Sequence, residues 1–518
     1  MNLLTDPVFR VRTPDGPGIV SLPGLLALLG EDRIESLPGL QRHQEDAFHI
    51  FCCYLAGAVL VRAGESSPKQ TAEFWREGIR QLTHAEGCED DSAWTLVVDD
   101  PTKPAFMQPP ASSRAVFERD YKPKAPTPDA LDIFRTAKNH DVKSARNDVA
   151  KPEDWAYALI SLQTMTGGLG NGNYGIARMN GFYGSRVCIG WRENSRMGPR
   201  FSLDAARLLE LRNSLIDEPP FFKPDGTALI WIKQWDGDTP FSLKSIDPFF
   251  IEVARRVRLG TDTEKLIAFG ASSKSMRIAA KDAHGVLGDP WTPILLGKEI
   301  KSLTVVDPGF TTKLLRDLLF NAADFKIAPM QIAPDGIHGG WLTASAFIGG
   351  EGTSDGFHFI SIRVPERAKT FLFSRGTNSH DRLATLSKRG IELADEIRKP
   401  LRVALITLME GGPDDLNEMN KQVEGWTTDA IRPFTQKWNP LFFDWLWSTV
   451  DIPDDTEALR PWFNELRQLA HDTLDSAFGR VPQRHGRSYR AKTKAQGIFL
   501  GSLKKNFSQF MEVTHDNP

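Results

Sequence analysis

The chain has 518 residues, 41% hydrophobic and 25% charged, with a net charge of −3. That length argues for two to four domains with enough apolar mass for a large core. The balance of 63 basic against 66 acidic residues excludes a global polycation, so contact with nucleic acid has to come from local patches.

The four cysteines, Cys52, Cys53, Cys88 and Cys188, contain no C-x-x-C pair. This argues against a zinc ribbon and a disulfide framework, and it suits a reducing cytoplasm. The opening residues, Met1 to Asp6, lack the basic start and apolar core of a signal peptide. Short strands are expected at 3–4, 9–12 and 19–21, punctuated by Pro and Gly. Helices follow over 44–62 and 72–82. The apolar run at 47–61 contains His49 and falls short of the roughly 20 residues that span a bilayer, so it reads as a buried core helix. Residues 94–98 read as a strand.

Residues 99–127 are rich in proline, which forbids regular structure. Within them Pro104, Ala105, Phe106, Met107 and Gln108 form a short apolar plug. Residues 129–137 suit a helical turn. The polar, net basic run 138–147 has few hydrophobes to hold it down. It reads equally as a loop that orders on a partner or as a solvated connection.

The stretch 167–184 has seven glycines in eighteen residues, with Asn171, Asn173, Asn180 and Arg178 among them. Glycine lets backbone adopt φ > 0 and come close to a ligand. Successive N–H groups can cradle a phosphate, and Asn and Arg can reach base edges or phosphates. The plain reading is a turn. Gly170-x-Gly172-x-x-Gly175 also matches the dinucleotide fingerprint, which requires a strand before it and a helix after. Here the apolar spacing of Trp155, Leu159, Leu162 and Met165 is helical, and 186–191 reads as a strand, so the order is reversed.

Further on, 203–215 is an amphipathic helix, and 229–232 and 249–257 are expected strands. The latter carries Arg255 and Arg256, with Arg258 just beyond it, either a solvated face or a phosphate-facing patch. Residues 265–281 suggest a hairpin region with Lys274, Arg277 and Lys281, and 311–321 a helix. The second glycine-rich stretch, 348–356, precedes an alternating strand at 357–364. Its four glycines with Thr353, Ser354 and Asp355 suggest a loop wider than a plain hairpin turn.

Beyond about 375 the pattern is helical, over 381–410 with Pro400 inside, then 416–423, 428–450, 455–478 and 488–513. This is the picture of a helical bundle whose core holds Trp426, Trp438, Trp445, Trp447 and Trp462. Its last connection and helix are basic: Arg480, Arg484, His485, Arg487, Arg490, Lys492, Lys494, Lys504 and Lys505. They form either a DNA-facing patch or an ordinary surface.

His-Asp dipeptides, among them those beginning at His140, His380 and His471, raise an HD-type metal-dependent phosphohydrolase as the enzymatic alternative. No H-x-x-x-H or H-E-x-x-H pairing supports it, and no P-loop is present. No set of nucleophile, base and oxyanion donors is assembled.

Taken in order, the opening Met1 to Asp6, the plug 104–108, the Asn139-His140-Asp141 loop, the glycine loop and the C-terminal helices resemble the CasA family. CasA is the large subunit of the type I-E CRISPR Cascade effector complex. The resemblance covers essentially the whole chain. It implies an α+β fold, with a mixed α/β domain over 1–375 and a four-helix bundle over 376–518.

It also implies a non-catalytic, cytoplasmic subunit without cofactor, metal or membrane contact. Such a subunit recognises the protospacer-adjacent motif on double-stranded target DNA, promotes duplex opening and R-loop formation, and recruits the helicase-nuclease. The implied partners are the crRNA and the other Cascade subunits: backbone, small and handle-binding. In such systems the guide reads sequence and protein reads only the short motif.

By the same resemblance, the motif-binding glycine loop corresponds to Gly170, Asn171, Gly172, Asn173 and Tyr174, with Arg178 beside it. The lysine finger corresponds to Lys274 or Arg277, and the wedge to Thr353, Ser354, Asp355 and Gly356. The loop toward the crRNA handle and backbone subunits corresponds to Lys138, Asn139, His140, Asp141, Lys143 and Arg146. The DNA backbone patch would be Arg480, Arg484, Arg487, Arg490, Lys492 and Lys494. The chain lacks the cysteine-rich zinc site that some family members carry, and it places Ser354 and Asp355 at the wedge, where one relative has a glutamine.

Overall fold

The computed structural model describes residues 1–511 apart from 125, 134–149, 182, 263–264, 337, 351–352, 413–420 and 482–485. The expected crRNA-handle loop and Arg484 therefore lie outside the described residues. Contacts divide the chain into two units: Met1–Phe310 with Ala322–Ser361, and Thr311–Asn321 with Ile362–Pro518. The division expected at 375 falls inside the second unit.

In the first unit a two-stranded antiparallel ribbon, β1 (Phe9–Thr13) and β2 (Gly16–Val20), leads into α1 (Leu22–Gly30). Helices α2 (Glu45–Ala63), α3 (Ala72–His84) and α4 (Arg114–Asp120) follow. Ser21, Thr71 and Ser113 cap α1, α3 and α4 by accepting a hydrogen bond from the third residue on. Gly64, at φ +70°, ends α2 in the left-handed conformation that favours glycine. By length and composition the span Arg42–Ala63 could cross a membrane, but 83% of its apolar window is buried inside the protein. It is the core helix its sequence implies.

The short β3 (Lys122–Pro123) is followed by α5 (Pro152–Met165), β4 (Cys188–Arg192), α6 (Met197–Asp217), β5 (Thr227–Leu229) and β6 (Ile246–Ile251). Next come β7 (Arg256–Asp262) and β8 (Lys265–Ala271), an antiparallel pair that β3 joins. Strands β9 (Ile294–Leu296), β10 (Ile300–Ser302) and β11 (Phe325–Lys326) make another small sheet. Finally β12 (Gly340–Gly350) lies between β4 and β13 (Thr353–Val364).

Several expectations give way to tertiary contacts. Leu3 and Leu4 form a fully buried turn, not a strand. Residues 94–98 are no strand: a 3-10 turn, Asp91–Trp94, precedes an extended segment in which Leu96 N–H donates to the Met1 carbonyl. The strand expected at 249–257 breaks between β6 and β7. There the Gln163 amide oxygen accepts from the N–H groups of Ala254 (2.8 Å) and Arg255 (2.7 Å), replacing ladder bonds. The wide loop expected at 348–356 contracts to a hairpin whose strands leave only 351–352 between them.

The second unit contains α7 (Thr312–Phe320), α8 (Glu366–Phe373), α9 (Asn378–Met409), α10 (Lys421–Trp438), α11 (Phe442–Ser448), α12 (Asp455–Phe478) and α13 (Ser488–Asn506). The four long helices, α9, α10, α12 and α13, form the expected bundle. The helix expected over 428–450 is interrupted by a 3-10 turn, Asn439–Leu441, containing Pro440. Trp438, Trp445, Trp447 and Trp462 are buried, and Trp445 stacks on Trp462 with centroids 4.9 Å apart. Trp426 instead lines a cavity of about 230 Å³ between α10 and α12.

A buried ionic lattice ties α2 to α6 and to the sheet. Asp46 pairs with Arg200 (2.8 Å) and Arg192 (3.0 Å) and accepts from Ser345 Oγ (2.6 Å). Asp204 bonds His49 at 2.7 Å. Burial, reinforced by Arg200, lowers the His49 pKa to about 4 despite Asp204. The folded protein therefore holds His49 neutral while the unfolded chain protonates it near pH 6.5. Stability from this residue should be complete above pH 6.5 and fall as pH drops toward 4, by at most about 1.4 kcal/mol per pH unit. Denaturant unfolding at pH 7.5 and 5 would show the drop, and His49→Gln should flatten that part of the profile.

Candidate nucleic-acid interface

The glycine stretch lies between α5 and β4, the helix–loop–strand order that rules out a Rossmann turn. Its neck is closed by an isolated bridge between Thr166 and Ser185 and by Gly167 N–H donating to the Gly184 carbonyl at 2.9 Å. Leu169 N–H donates to Asn173 O (2.8 Å), and Asn173 N–H to Gly170 O (3.1 Å), so the tip is a tight hydrogen-bonded turn. Gly170 (φ +100°) and Gly172 (φ +83°) make that turn possible. Asn171 is exposed, and Asn173 and Tyr174 are half-buried.

The structure brings this tip against the segment after β8. The Gly172 carbonyl accepts from Ser273 N–H at 2.9 Å, and a Cβ on Gly172 would sit 2.6 Å from Ser272 Cβ. Next to Ser273 stands Lys274, whose side chain is 84% exposed and pairs with Asp238 at 2.9 Å. That hydrogen bond raises the lysine pKa. The two loops thus form one surface, with backbone and amides on one side and an ammonium on the other.

Two expected contacts are corrected. Arg277 is only 4% exposed: its guanidinium donates to the Lys233 carbonyl and lies over Trp235 and Phe241, and burial brings its pKa down to about 10. Of the two lysine-finger candidates, Lys274 alone reaches the surface. Arg178 is 2% exposed, sandwiched over Phe250 and Tyr54, 3.6 Å from Glu252 and bonded to the Phe250 carbonyl. It holds the inner side of the glycine loop and has no surface to offer DNA.

Arg255, Arg256 and Arg258 are likewise neither a solvated face nor a phosphate patch. Arg255 donates to the Gly167 carbonyl at 2.7 Å, bracing the glycine-loop neck. Arg256 donates to the Ser272 carbonyl at 2.8 Å, bracing the opposite loop. Arg258 donates to the carbonyls of Lys103, Gln108, Val98 and Asp100. The plug is part of the same frame, since Gln163 Nε2 donates to Met107 O (2.8 Å) and Gln108 Oε1 accepts from Leu259 N–H (2.6 Å). Sequence reasoning missed this frame. A glutamine on the apolar helix α5 is the signal that could have marked it, because a buried amide requires partners.

The residues expected to form the wedge, 353–356, belong to the β12–β13 hairpin. Gly356 has φ +117°, and the side chains of 353–355 lie outside the described residues. Its base rests on the turn that opens α2. Arg42 lies 3.8 Å above the Phe359 ring, and His43 packs edge-on against Phe347 and Phe357. His43 and Gln44 also hold Asp132, just before the residues expected to form the crRNA-handle loop.

In the second unit Arg487 and Arg490 are exposed near the N-terminus of α13, Arg480 lines the cavity beside Trp426, and Lys492 lies over Phe478. His380 packs on Phe320, and His471 faces Asp475 at 3.4 Å. Among the described residues no group of three or more His, Cys, Asp or Glu could hold a metal ion, so the HD-hydrolase alternative finds no site there.

Fold and site define an α+β protein whose distinctive surface is a backbone platform built on buried arginines, followed by a four-helix bundle. Solved structures share this architecture over nearly the full chain. CasA of Thermus thermophilus superposes with a TM-score of 0.64 at 12% identity, over 98% of this chain and 99% of that one. Cse1 of Acidimicrobium ferrooxidans gives 0.62 at 14% identity, over 99% of each. A chain of a CRISPR RNA-guided surveillance complex in a pre-nicking state gives 0.52 at 11% identity, over 96% and 98%. The chain has the CasA/Cse1 fold. No protein-family model matches the sequence, and no curated protein is significantly similar to it.

Proposed function

We propose that the chain is a CasA-family large subunit of a type I-E CRISPR surveillance complex. In this reading it works in the cytoplasm without chemistry of its own, bound to the crRNA and the other Cascade subunits. The glycine loop and Lys274 receive the protospacer-adjacent motif from the minor-groove side, the β12–β13 hairpin helps part the strands, and the bundle's basic residues steady DNA backbone. A helicase-nuclease then joins the opened complex. The observation that carries this reading is the abutment of Gly172 on Ser273, which sets side-chain-free backbone beside an exposed ammonium. Minor-groove contacts separate A·T from G·C but little more, which suits tolerance of several motif sequences.

Asn171 supplies the test. Asn171→Trp should leave assembly with crRNA and the other subunits unchanged while weakening capture of a motif-bearing duplex at least about tenfold, the size of a good base-edge contact. Gel-shift titration of the assembled complex reads both. Unchanged capture would make the loop only a turn.

A further inference from the structure

We infer that Asp238 is the resident anion of a one-phosphate site at Lys274, and that DNA engages this platform by exchanging a backbone phosphate for the Asp238 carboxylate. The inference rests on the reading above that the two loops meet duplex DNA.

Exposed ion pairs ordinarily contribute little, because two flexible side chains must be frozen into one geometry. Here both partners stand on locked backbone. Asp236 Oδ1 accepts from Asp238 N–H (2.8 Å) and Thr239 N–H (2.9 Å), closing the turn that carries Asp238. Lys274 N–H donates to Gly237 O at 2.7 Å, and Ser275 Oγ donates to Asp238 O at 2.6 Å. Gly237, at φ +89°, lies so close to the Arg256 guanidinium that a Cβ would fall 2.7 Å from it. The short Asp238 side chain has little freedom to lose, and its carboxylate meets Lys274 Nζ at 2.9 Å with half its surface open to solvent. A phosphate oxygen can approach the same ammonium from that open side.

The consequence is specific. A lysine that meets phosphate normally releases a condensed counterion and steepens the salt dependence of binding. When phosphate displaces a carboxylate from the lysine, the freed Asp238 carboxylate takes up a cation in place of the one the phosphate sheds, so the exchange adds almost nothing to that slope. Asp238 therefore restrains Lys274 and removes its signature from the salt dependence.

The test uses the assembled complex with its crRNA and the target duplex that the wild-type complex binds most tightly, titrated across a KCl series. Four forms are compared: wild type, Asp238→Asn, Lys274→Ala and the double variant. Asparagine keeps the backbone bonds of the turn. Asp238→Asn should raise affinity at low salt about threefold to tenfold and steepen the log–log slope by about 0.9. Lys274→Ala should cancel both effects. If Lys274→Ala weakens binding but Asp238→Asn changes nothing, the exchange is refuted while the platform reading stands. If the Asp238→Asn gain persists without Lys274, the carboxylate acts only as a general repulsive charge, and the exchange is again refuted. If no variant differs from wild type, the platform reading fails and takes the exchange with it.

Discussion

Gly172→Val should reduce motif-dependent duplex capture by about a hundredfold while shifting the melting temperature only slightly. Gly172 has φ +83°, where a β-branched residue is strongly disfavoured. The added Cβ would also fall 2.6 Å from Ser272 Cβ, so the loops must separate and the Gly172–Ser273 hydrogen bond must break. Asn171 and Lys274 would then no longer share one spacing. The cost stays local because the tip is at the rim and buries no large apolar group. Gly170→Ala separates strain from contact: Gly170 also has positive φ (+100°), yet a Cβ there meets nothing within 4 Å. It should lose far less binding than Gly172→Ala. Equal losses in the two alanine variants would show that backbone conformation, not the loop-to-loop contact, governs capture.

The largest stability effect is expected at Asp289. Its carboxylate receives two hydrogen bonds from the buried Arg186 guanidinium, another from Thr292 Oγ1 (2.8 Å) and one from Trp291 N–H (3.2 Å). Burial pushes the Asp289 pKa up, but Arg186 outweighs it and holds the carboxyl ionised. Asp289→Ala would strand a buried guanidinium, which typically costs about 3–5 kcal/mol, on the order of half a domain's stability. Removing both charges, in Asp289→Leu with Arg186→Leu, should cost much less. Denaturant unfolding of wild type, Asp289→Leu, Arg186→Leu and the double variant gives the coupling energy, and a loss below about 1 kcal/mol for Asp289→Ala would refute the account. The loss also bears on function. Arg186 N–H donates to the Met165 carbonyl at 3.0 Å, so a displaced Arg186 loosens the neck of the glycine loop.

Helices were legible where their periodicity was long. Cap residues such as Thr71, Thr377 and Asp454 and breakers such as Gly64 fixed their ends. The glycine loop was legible because only backbone without side chains explains seven glycines so close together. What stayed hidden depended on partners far away in sequence. Arg178 and Arg277 read as DNA-facing charges in sequence, whereas Glu252 and the surrounding aromatic rings enclose them. The arginines at 255–258 look like surface charge in sequence, yet each commits its guanidinium to loop carbonyls. Nothing local to Gly172 announces Ser273, or to Lys274 announces Asp238. The expected strand at 94–98 failed because a 3-10 turn and the bond from Leu96 to Met1 satisfied its backbone instead.

Arg255 sits in the bend just ahead of β7, and Arg256 is the first residue of that strand. One brace goes to the glycine-loop neck and the other to the facing loop. A single inserted or deleted residue at the head of β7 would change the spacing between those two braces and misdirect at least one of the loops. Substitution of the exposed Asn171, by contrast, leaves the aim intact and changes only what is touched. In the DNA-reading role proposed above, preference among short signals changes through a few rim positions, while the scaffold is constrained in length at that one point.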